Sequence, residues 1–327
     1  MRTINVAIDI DDFLTSMDVS SLRCQALLDP VHHGEQAFVT IHFLFNESEY
    51  DMDYVLVPGC IPFFQFLFGQ PGVRPAFFSA GARARNLVLG ERIVQMAVAA
   101  GGDPTWLERY DVFSREDGFD TEALPDIRAR SDSPYQPPDY FGNLKKDLRM
   151  IHYGREVYHG LFERVRRGEP VLLPDPEKDK PLLENAIMIE EDSSYLFAGQ
   201  QRNMLLCPTY RHPYPRLVNY PQEDTPVADK TDYRDHFKNT NTIFYAAGVM
   251  QHLFERLASG ATSIPDILWE AQGHLWESRS LPYENRFPLH FFTEGRAVLR
   301  QYNPALNFAV AAPAAPASTD GNPVPRI

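Results

Sequence analysis

Cysteine is scarce in this chain: Cys24, Cys60 and Cys207 are odd in number and far apart. That pattern suggests neither a disulfide framework nor a zinc site, and a fold completed in a reducing compartment is expected. Basic residues are in deficit, 31 against 44 acidic ones, for a formal charge of −13. Acidity of this size, spread over many segments, argues against nucleic acid or an anionic membrane as the main partner, while leaving room for a local basic pocket. No apolar stretch reaches membrane-spanning length, and the N-terminus lacks the basic segment and apolar run of a cleavable signal. A cytoplasmic location is the expectation. Internal repeats are also lacking.

What the chain does contain is a globular complement: 44% of its 327 residues are hydrophobic and 12% aromatic. That is enough for one large domain or two small ones. Apolar, β-branched runs at Val6–Ile10, Phe38–Phe45, Tyr54–Val57, Ala76–Ser79 and Ala186–Glu190 read as strands, each followed by a stretch with room for a helix. Ile61–Phe68 is short and aromatic, and Ala84–Ala99 carries Leu87, Leu89, Ile93, Val94 and Ala97 at near-helical spacing. Val157, Leu161, Phe162 and Val165 line one face of a further segment. Strands alternating with helices predict an α/β fold with a mostly parallel central sheet flanked by helices. Such sheets bind ligands at the carboxyl ends of their strands.

Two stretches interrupt the pattern. Asp117–Tyr140 is polar and proline-rich and predicts an excursion from the sheet, and Arg167–Lys180 predicts a solvated loop. Further on, Phe244–Ala258 and Ile264–Trp276 read as helices, the first with Met250, Leu253, Phe254 and Leu257 as its buried stripe. From Ala309 the Ala/Pro/Ser composition predicts a disordered tail.

Four short clusters could carry chemistry, and each alone also has an ordinary structural reading. The first apolar run ends in Asp9-Ile10-Asp11, two acids whose side chains share one face of an extended backbone. They are a catalytic pair sharing a cation, or a helix cap or solvated turn. Phe77-Phe78-Ser79-Ala80-Gly81 is a phosphate-sized anion cradle at a helix start, or an N-cap serine. In Lys145-Lys146-Asp147-Leu148, a lysine could neutralise a phosphoryl group, or the pair is solvated surface. Ala186-Ile187-Met188-Ile189-Glu190-Glu191-Asp192-Ser193 ends a buried strand in hard oxygen ligands that suit Mg²⁺, or in an acidic turn with Asp192 capping the next segment.

Taken in order, acid pair, hydroxyl, lysine and acid cluster resemble the haloacid-dehalogenase-like (HAD) phosphatases. In detail they resemble the branch that acts on the carboxy-terminal domain of RNA polymerase II, with its NLI-interacting-factor-like relatives. Asp9-Ile10-Asp11-Asp12-Phe13-Leu14 is similar to that branch's Asp-x-Asp-x-Thr-Leu, and the segment from Val57-Pro58-Gly59 to Phe66-Leu67 to its Arg-Pro-Gly…Phe-Leu. Phe78-Ser79-Ala80 resembles Phe-Thr-Ala, and Lys146-Asp147-Leu148 matches Lys-Asp-Leu. Glu191-Asp192-Ser193-Ser194, followed by Gln200-Gln201-Arg202-Asn203, is similar to Asp-Asp/Asn-Ser-Pro and Gln-x-x-Asn. The resemblance runs over residues 4–208. Three positions depart from it. Phe13 stands for Thr or Val, Val57 for Arg, and Glu191 for Asp, so either Glu191 reaches a metal differently or Asp192 takes over as ligand.

The resemblance implies a Rossmann-like HAD core over residues 1–225 with insertions near 15–53, 100–140 and 149–185 in place of a large cap. A helical part over 226–305 would pack on that core, and 306–327 would be the tail. It implies a Mg²⁺-dependent phosphoric monoester hydrolase in which Asp9 attacks phosphorus to form an aspartyl-phosphate and Asp11 serves as general acid, then base. Ser79 and Lys146 would hold phosphoryl oxygens, and Mg²⁺ would be bound by Asp9, the backbone carbonyl of Asp11, and Glu191 or Asp192. Pro125, Pro134, Pro137 and Pro138 break any long helix in the second insertion, which predicts an open or only partly covered cleft. An open cleft points to a phosphorylated protein side chain (Ser/Thr or Tyr) as substrate, with Tyr135, Tyr140, Phe141 and Tyr153 as candidate walls. Members of this branch also serve as receptor or scaffold subunits, so a binding module is the alternative. A phosphotransferase with another acceptor shares the first half-reaction. The intact Asp9, Asp11, Ser79 and Lys146 favour an enzyme.

Overall fold

The computed structural model describes residues 2–16, 38–120, 144–153, 183–197, 199–208, 242–277 and 287–306, with single positions at 160, 163 and 167. The expected helix face at Val157–Val165, nearly all of the two proline-rich and charged stretches, the tail, and Tyr135, Tyr140 and Phe141 lie outside the described residues.

In chain order the strands are β1 (Ile4–Ile8), β2 (Thr15–Ser16), β3 (Phe38–Phe45), β4 (Ser48–Leu56), β5 (Val73–Phe78), β6 (Asp111–Phe113), β7 (Phe119–Asp120), β8 (Leu144–Lys145), β9 (Ala186–Glu190) and β10 (Met204–Leu206). The helices are α1 (Cys60–Gly69), α2 (Arg83–Ala99), α3 (Arg149–Tyr153), α4 (Thr242–Ala258), α5 (Ile264–Glu277) and α6 (Leu289–Leu299). Five parallel strands form the central sheet in the order β10-β9-β1-β5-β6. With helices on its faces, this is a Rossmann-like α/β arrangement, as expected from the sequence.

β1 is buried along its whole length because both sheet faces are covered. Ile4, Val6 and Ile8 join one core with Phe63, Phe64 and Leu67 of α1, Leu89 and Ile93 of α2, and residues of α4, α5 and α6. Ala7 points the other way, into a smaller cluster with Leu148, Met150, Ile151 and Leu196. Phe13, where the family resemblance would place Thr, is fully buried and meets Phe63 edge-on with ring centroids 6.1 Å apart.

The expected strand at Tyr54–Val57 begins earlier, at Ser48, and takes up the stretch that had room for a helix. The chain after β3 turns back at once, with Asn46 at φ 48° and Glu47 at φ 65°, and β4 pairs antiparallel with β3 from Phe45↔Ser48 onward. Two left-handed residues make the two-residue turn whose twist suits a hairpin, and β2 adds a third strand to that sheet. α6 is not singled out as a helix by the sequence pattern, although it lies within the helical part expected over 226–305. Its buried side includes a glycine, and that glycine is used for close approach. A Cβ at Gly295 would lie 1.8 Å from the carbonyl oxygen of Phe244, and one at Gly248 would lie 2.0 Å from that of Phe291. α4 and α6 therefore touch backbone to backbone. α5 closes the sheet edge. Gln272 accepts from the backbone N–H of Leu206 at 3.1 Å and donates to its carbonyl at 2.8 Å and to the Tyr245 hydroxyl at 2.8 Å. Among the described residues no helix is long and apolar enough to cross a membrane.

Candidate active site

β1 lies between β9 and β5, so residues just past its end face the ends of both neighbours. Asp9 continues the ladder by donating its N–H to the Ile189 carbonyl at 3.0 Å, and its side chain turns to the β9 side. There Lys146 donates to Asp9 Oδ1 at 2.6 Å and to Glu190 Oε2 at 2.5 Å. Glu190 is the last residue of β9 and is fully buried. Carboxylate oxygens of Asp9, Glu190 and Glu191 all lie within 4.8 Å of one another.

Among the described residues, three carboxylates face the Lys146 ammonium in a water-poor place, an excess of acid. Burial, with Asp11 nearby, pushes the Asp9 carboxyl above its ordinary range despite Lys146. Burial, with Asp9 adding to it, pushes Glu190 up to about 8. Burial, Glu190 and Asp9 push Glu191 well above the usual carboxylate range. Burial works against the Lys146 ammonium, but Asp9 and Glu190 outweigh it and hold the lysine above its ordinary value. Among the described residues, Glu191 Oε2 is buried and meets no hydrogen-bond partner, an unusual cost for a carboxylate oxygen. An orphaned hard oxygen in a triad of acids fits a small divalent cation, whose charge would reverse these upward shifts.

Lys146 is rigidly delivered. It follows β8, its N–H donates to the Tyr195 carbonyl at 2.8 Å, and its ammonium sits 4.6 Å from the centre of the Tyr195 ring. Next to it, Asp147 accepts from Arg149 Nε and Nη2 and from Gln200 Nε2 at 2.7 Å, while Gln200 Oε1 accepts from the Leu148 N–H. Gln200 and Asn203 thus serve as fasteners: Asn203 Nδ2 donates to the carbonyls of Leu183 and Ala186 at the start of β9.

Asp11 turns the other way, toward β5. Ser79, just past β5, donates to Asp11 Oδ2 at 2.8 Å, and Arg85 forks onto the same carboxylate, Nη1 to Oδ1 at 2.8 Å and Nη2 to Oδ2 at 2.7 Å. Burial disfavours the Arg85 guanidinium, but Asp11 outweighs it and holds the group firmly protonated. The first N–H of α2, on Arg83, is taken by Glu116. Asp192 accepts from the Ser194 N–H at 2.8 Å and caps the short turn after β9.

Of the residues expected from sequence, Asp9, Lys146 and Glu191 thus meet on one side of the strand end and Asp11 and Ser79 on the other, with Asp192 engaged as a cap. Glu190 and Arg85 are the additions. Glu190 carried a sequence signal, as the only acid inside an otherwise apolar strand. Arg85 carried another: a cation in the first turn of a helix opposes the helix dipole, so something else must hold it there.

No family model and no curated protein sequence matches the chain. Among solved structures it is similar to Fcp1, an essential RNA polymerase II CTD phosphatase, at 11% identity over 91% of this chain and 79% of that one, TM-score 0.40. A fission yeast Fcp1 with an arginine-to-alanine change, bound to beryllium fluoride, is similar at 11% identity over the same shares of both chains, TM-score 0.39.

Proposed function

We propose that the chain is a HAD-type, Mg²⁺-dependent phosphatase acting on phosphorylated protein side chains. What carries this reading is the convergence of Asp9, Lys146, Glu190 and Glu191 at the carboxyl ends of two adjacent parallel strands, with Asp11 and Ser79 beside them. Asp9 is the nucleophile: its carboxylate oxygen attacks phosphorus in line, and the substrate oxygen leaves with a proton from Asp11. In the second half, Asp11 takes a proton from water as that water attacks the aspartyl-phosphate, releasing phosphate and restoring Asp9. Lys146 and Ser79 hold terminal phosphoryl oxygens, and the charge they supply dominates this kind of transfer. Asp9, Glu190 and Glu191 would hold the cation, which supplies positive charge between nucleophile and phosphate. An open cleft, inferred from the proline-rich insertion, admits a protein-borne phosphate.

A second reading has one specific observation in its favour. The Asp11 carboxylate is fully engaged by Arg85 and Ser79, as it would be in a fold kept for binding. One assay separates the two: turnover of phosphopeptides carrying Ser, Thr or Tyr phosphate, and of small phosphorylated metabolites, with Mg²⁺ or with chelator. Metal-dependent release of phosphate that disappears in Asp9→Asn, with higher kcat/KM for peptides, is expected. Near-normal activity in Asp9→Asn would refute the nucleophile, and preference for a metabolite would refute the open cleft.

A further inference from the structure

The reaction above leaves Arg85 without a task. Besides forking onto Asp11, its Nη2 reaches Ser79 Oγ at 2.9 Å. The Ser79 hydroxyl is saturated in this arrangement, donating to Asp11 Oδ2 and accepting from the Gly81 N–H at 3.1 Å and from Arg85. A hydroxyl has one proton and two lone pairs. Ser79 can therefore donate to a phosphoryl oxygen only by letting go of Asp11. A phosphoryl group that took the Ser79 proton from Asp11 would offer Arg85 a second pair of anionic oxygens, and a guanidinium fork fits either pair.

The fork is built in. Asn86 Oδ1 accepts from Arg85 Nε at 2.9 Å and from Nη2 at 2.5 Å, and Asn86 Nδ2 donates to the Gly81 carbonyl at 3.0 Å and to Ser114 Oγ at 3.1 Å, which fixes the amide. Gly81 makes the room, since a Cβ there would lie 1.9 Å from Arg85 Nη2. The Arg85 side chain is 9% exposed and that of Asp11 38%, so a ligand from solvent meets the Asp11 side of the pair first.

We propose that Arg85 is a phosphoryl-holding residue, parked on Asp11 in the ligand-free protein. An arriving phosphoryl group takes over its fork together with Ser79 and thereby frees Asp11 for proton transfer. The anion-holding part stands on geometry alone; the release of Asp11 for catalysis rests on the phosphatase reading.

The test is binding of inorganic phosphate to the Mg²⁺-supplemented protein by titration calorimetry, repeated with orthovanadate. Arg85→Gln should weaken binding about 10- to 100-fold, as expected for loss of a charge-assisted fork, and Arg85→Lys should recover part of it. Asp11→Asn should tighten binding, because the competing carboxylate is gone, and the tightening should vanish in the Asp11→Asn/Arg85→Gln double variant. Gly81→Ala, which displaces the guanidinium without removing it, should weaken binding as Arg85→Gln does, and serves if that variant fails to fold. Unchanged affinity in folded Arg85→Gln or Gly81→Ala overturns the proposal. So does an Asp11→Asn effect that is independent of Arg85, or a wild-type protein that binds neither anion. If both anions bind with the expected coupling but no monoester is turned over, the phosphatase reading fails and the anion site stands.

Discussion

Replacing Lys146 with Met keeps most of the aliphatic stem and removes only the charge that balances the acid triad. Lys146, Asp9 and Glu190 have side chains 1%, 4% and 0% exposed, so no water can substitute for the lost ammonium. Breaking a buried ion pair by removing one partner costs about 3–5 kcal/mol. Two ionised carboxylates 4 Å apart repel by roughly 4 kcal/mol at an effective dielectric of about 20, so the triad escapes part of this cost by binding protons. The deficit must therefore depend on pH, in a direction that can be worked out. Lys146 is held above its ordinary value, so it stays charged throughout the neutral range and wild-type pH dependence there comes from the acids. Asp9, Glu190 and Glu191 are all raised. A raised carboxyl contributes fully below its unfolded value, near pH 4, and that contribution is lost as pH climbs through the folded value. Loss of the ammonium raises these values further. Urea unfolding followed by circular dichroism in chelator should thus show a small Lys146→Met deficit near pH 5 and about 3–5 kcal/mol near pH 8. Added Mg²⁺ should stabilise the variant more than the wild type. A deficit below about 1 kcal/mol that does not change with pH would refute the claim that the three acids depend on Lys146.

Glu191→Gln should raise the Mg²⁺ concentration for half-maximal activity by about tenfold or more, because its orphaned oxygen is the readiest ligand. Asp192→Ala should scarcely move it and instead cost about 1 kcal/mol in urea unfolding through loss of the cap. Equal, negligible shifts at Glu190, Glu191 and Asp192 would sink the metal centre. Gly248→Ala should separate α4 from α6 at a cost of about 1–3 kcal/mol by overpacking, with the Mg²⁺ constant unchanged; wild-type stability in that variant would mean the helices do not pack backbone to backbone.

The core of the fold was readable because β1, β9, α1, α2, α4 and α5 each pair a clean apolar run with its own period, and local pattern and tertiary burial agree there. The hairpin was less so. Its turn is Asn46-Glu47, and although asparagine tolerates a left-handed backbone, glutamate at φ 65° is a choice no turn propensity favours. The pairing of β3 with β4 imposes it. α6 was hidden for the opposite reason: the residues that let it pack closest are Gly295 and its partner Gly248, and absence of a side chain leaves no mark in a hydrophobic pattern.

The site shows where spacing stops being informative. Asp9 and Asp11 would share a face only if the backbone stayed extended, and β1 ends at Ile8, with Asp12 at φ 57° and its N–H donating to the Thr15 carbonyl at 2.7 Å. Past that point direction is decided by what surrounds the strand end: Lys146 after β8 with Glu190 and Glu191 at the end of β9 to one side, Ser79 after β5 with Arg85 of α2 to the other. Nor can Glu190-Glu191-Asp192 reveal which acids turn inward. That follows from register: Glu190 pairs with Leu206 and accepts the Cys207 N–H on its carbonyl at 2.8 Å. It is thus still strand, with its side chain committed to the sheet's carboxyl edge, while Asp192 is already in the turn. The acid closest to Lys146 is the one most deeply integrated in the fold, so its charge is set by burial before any ligand arrives.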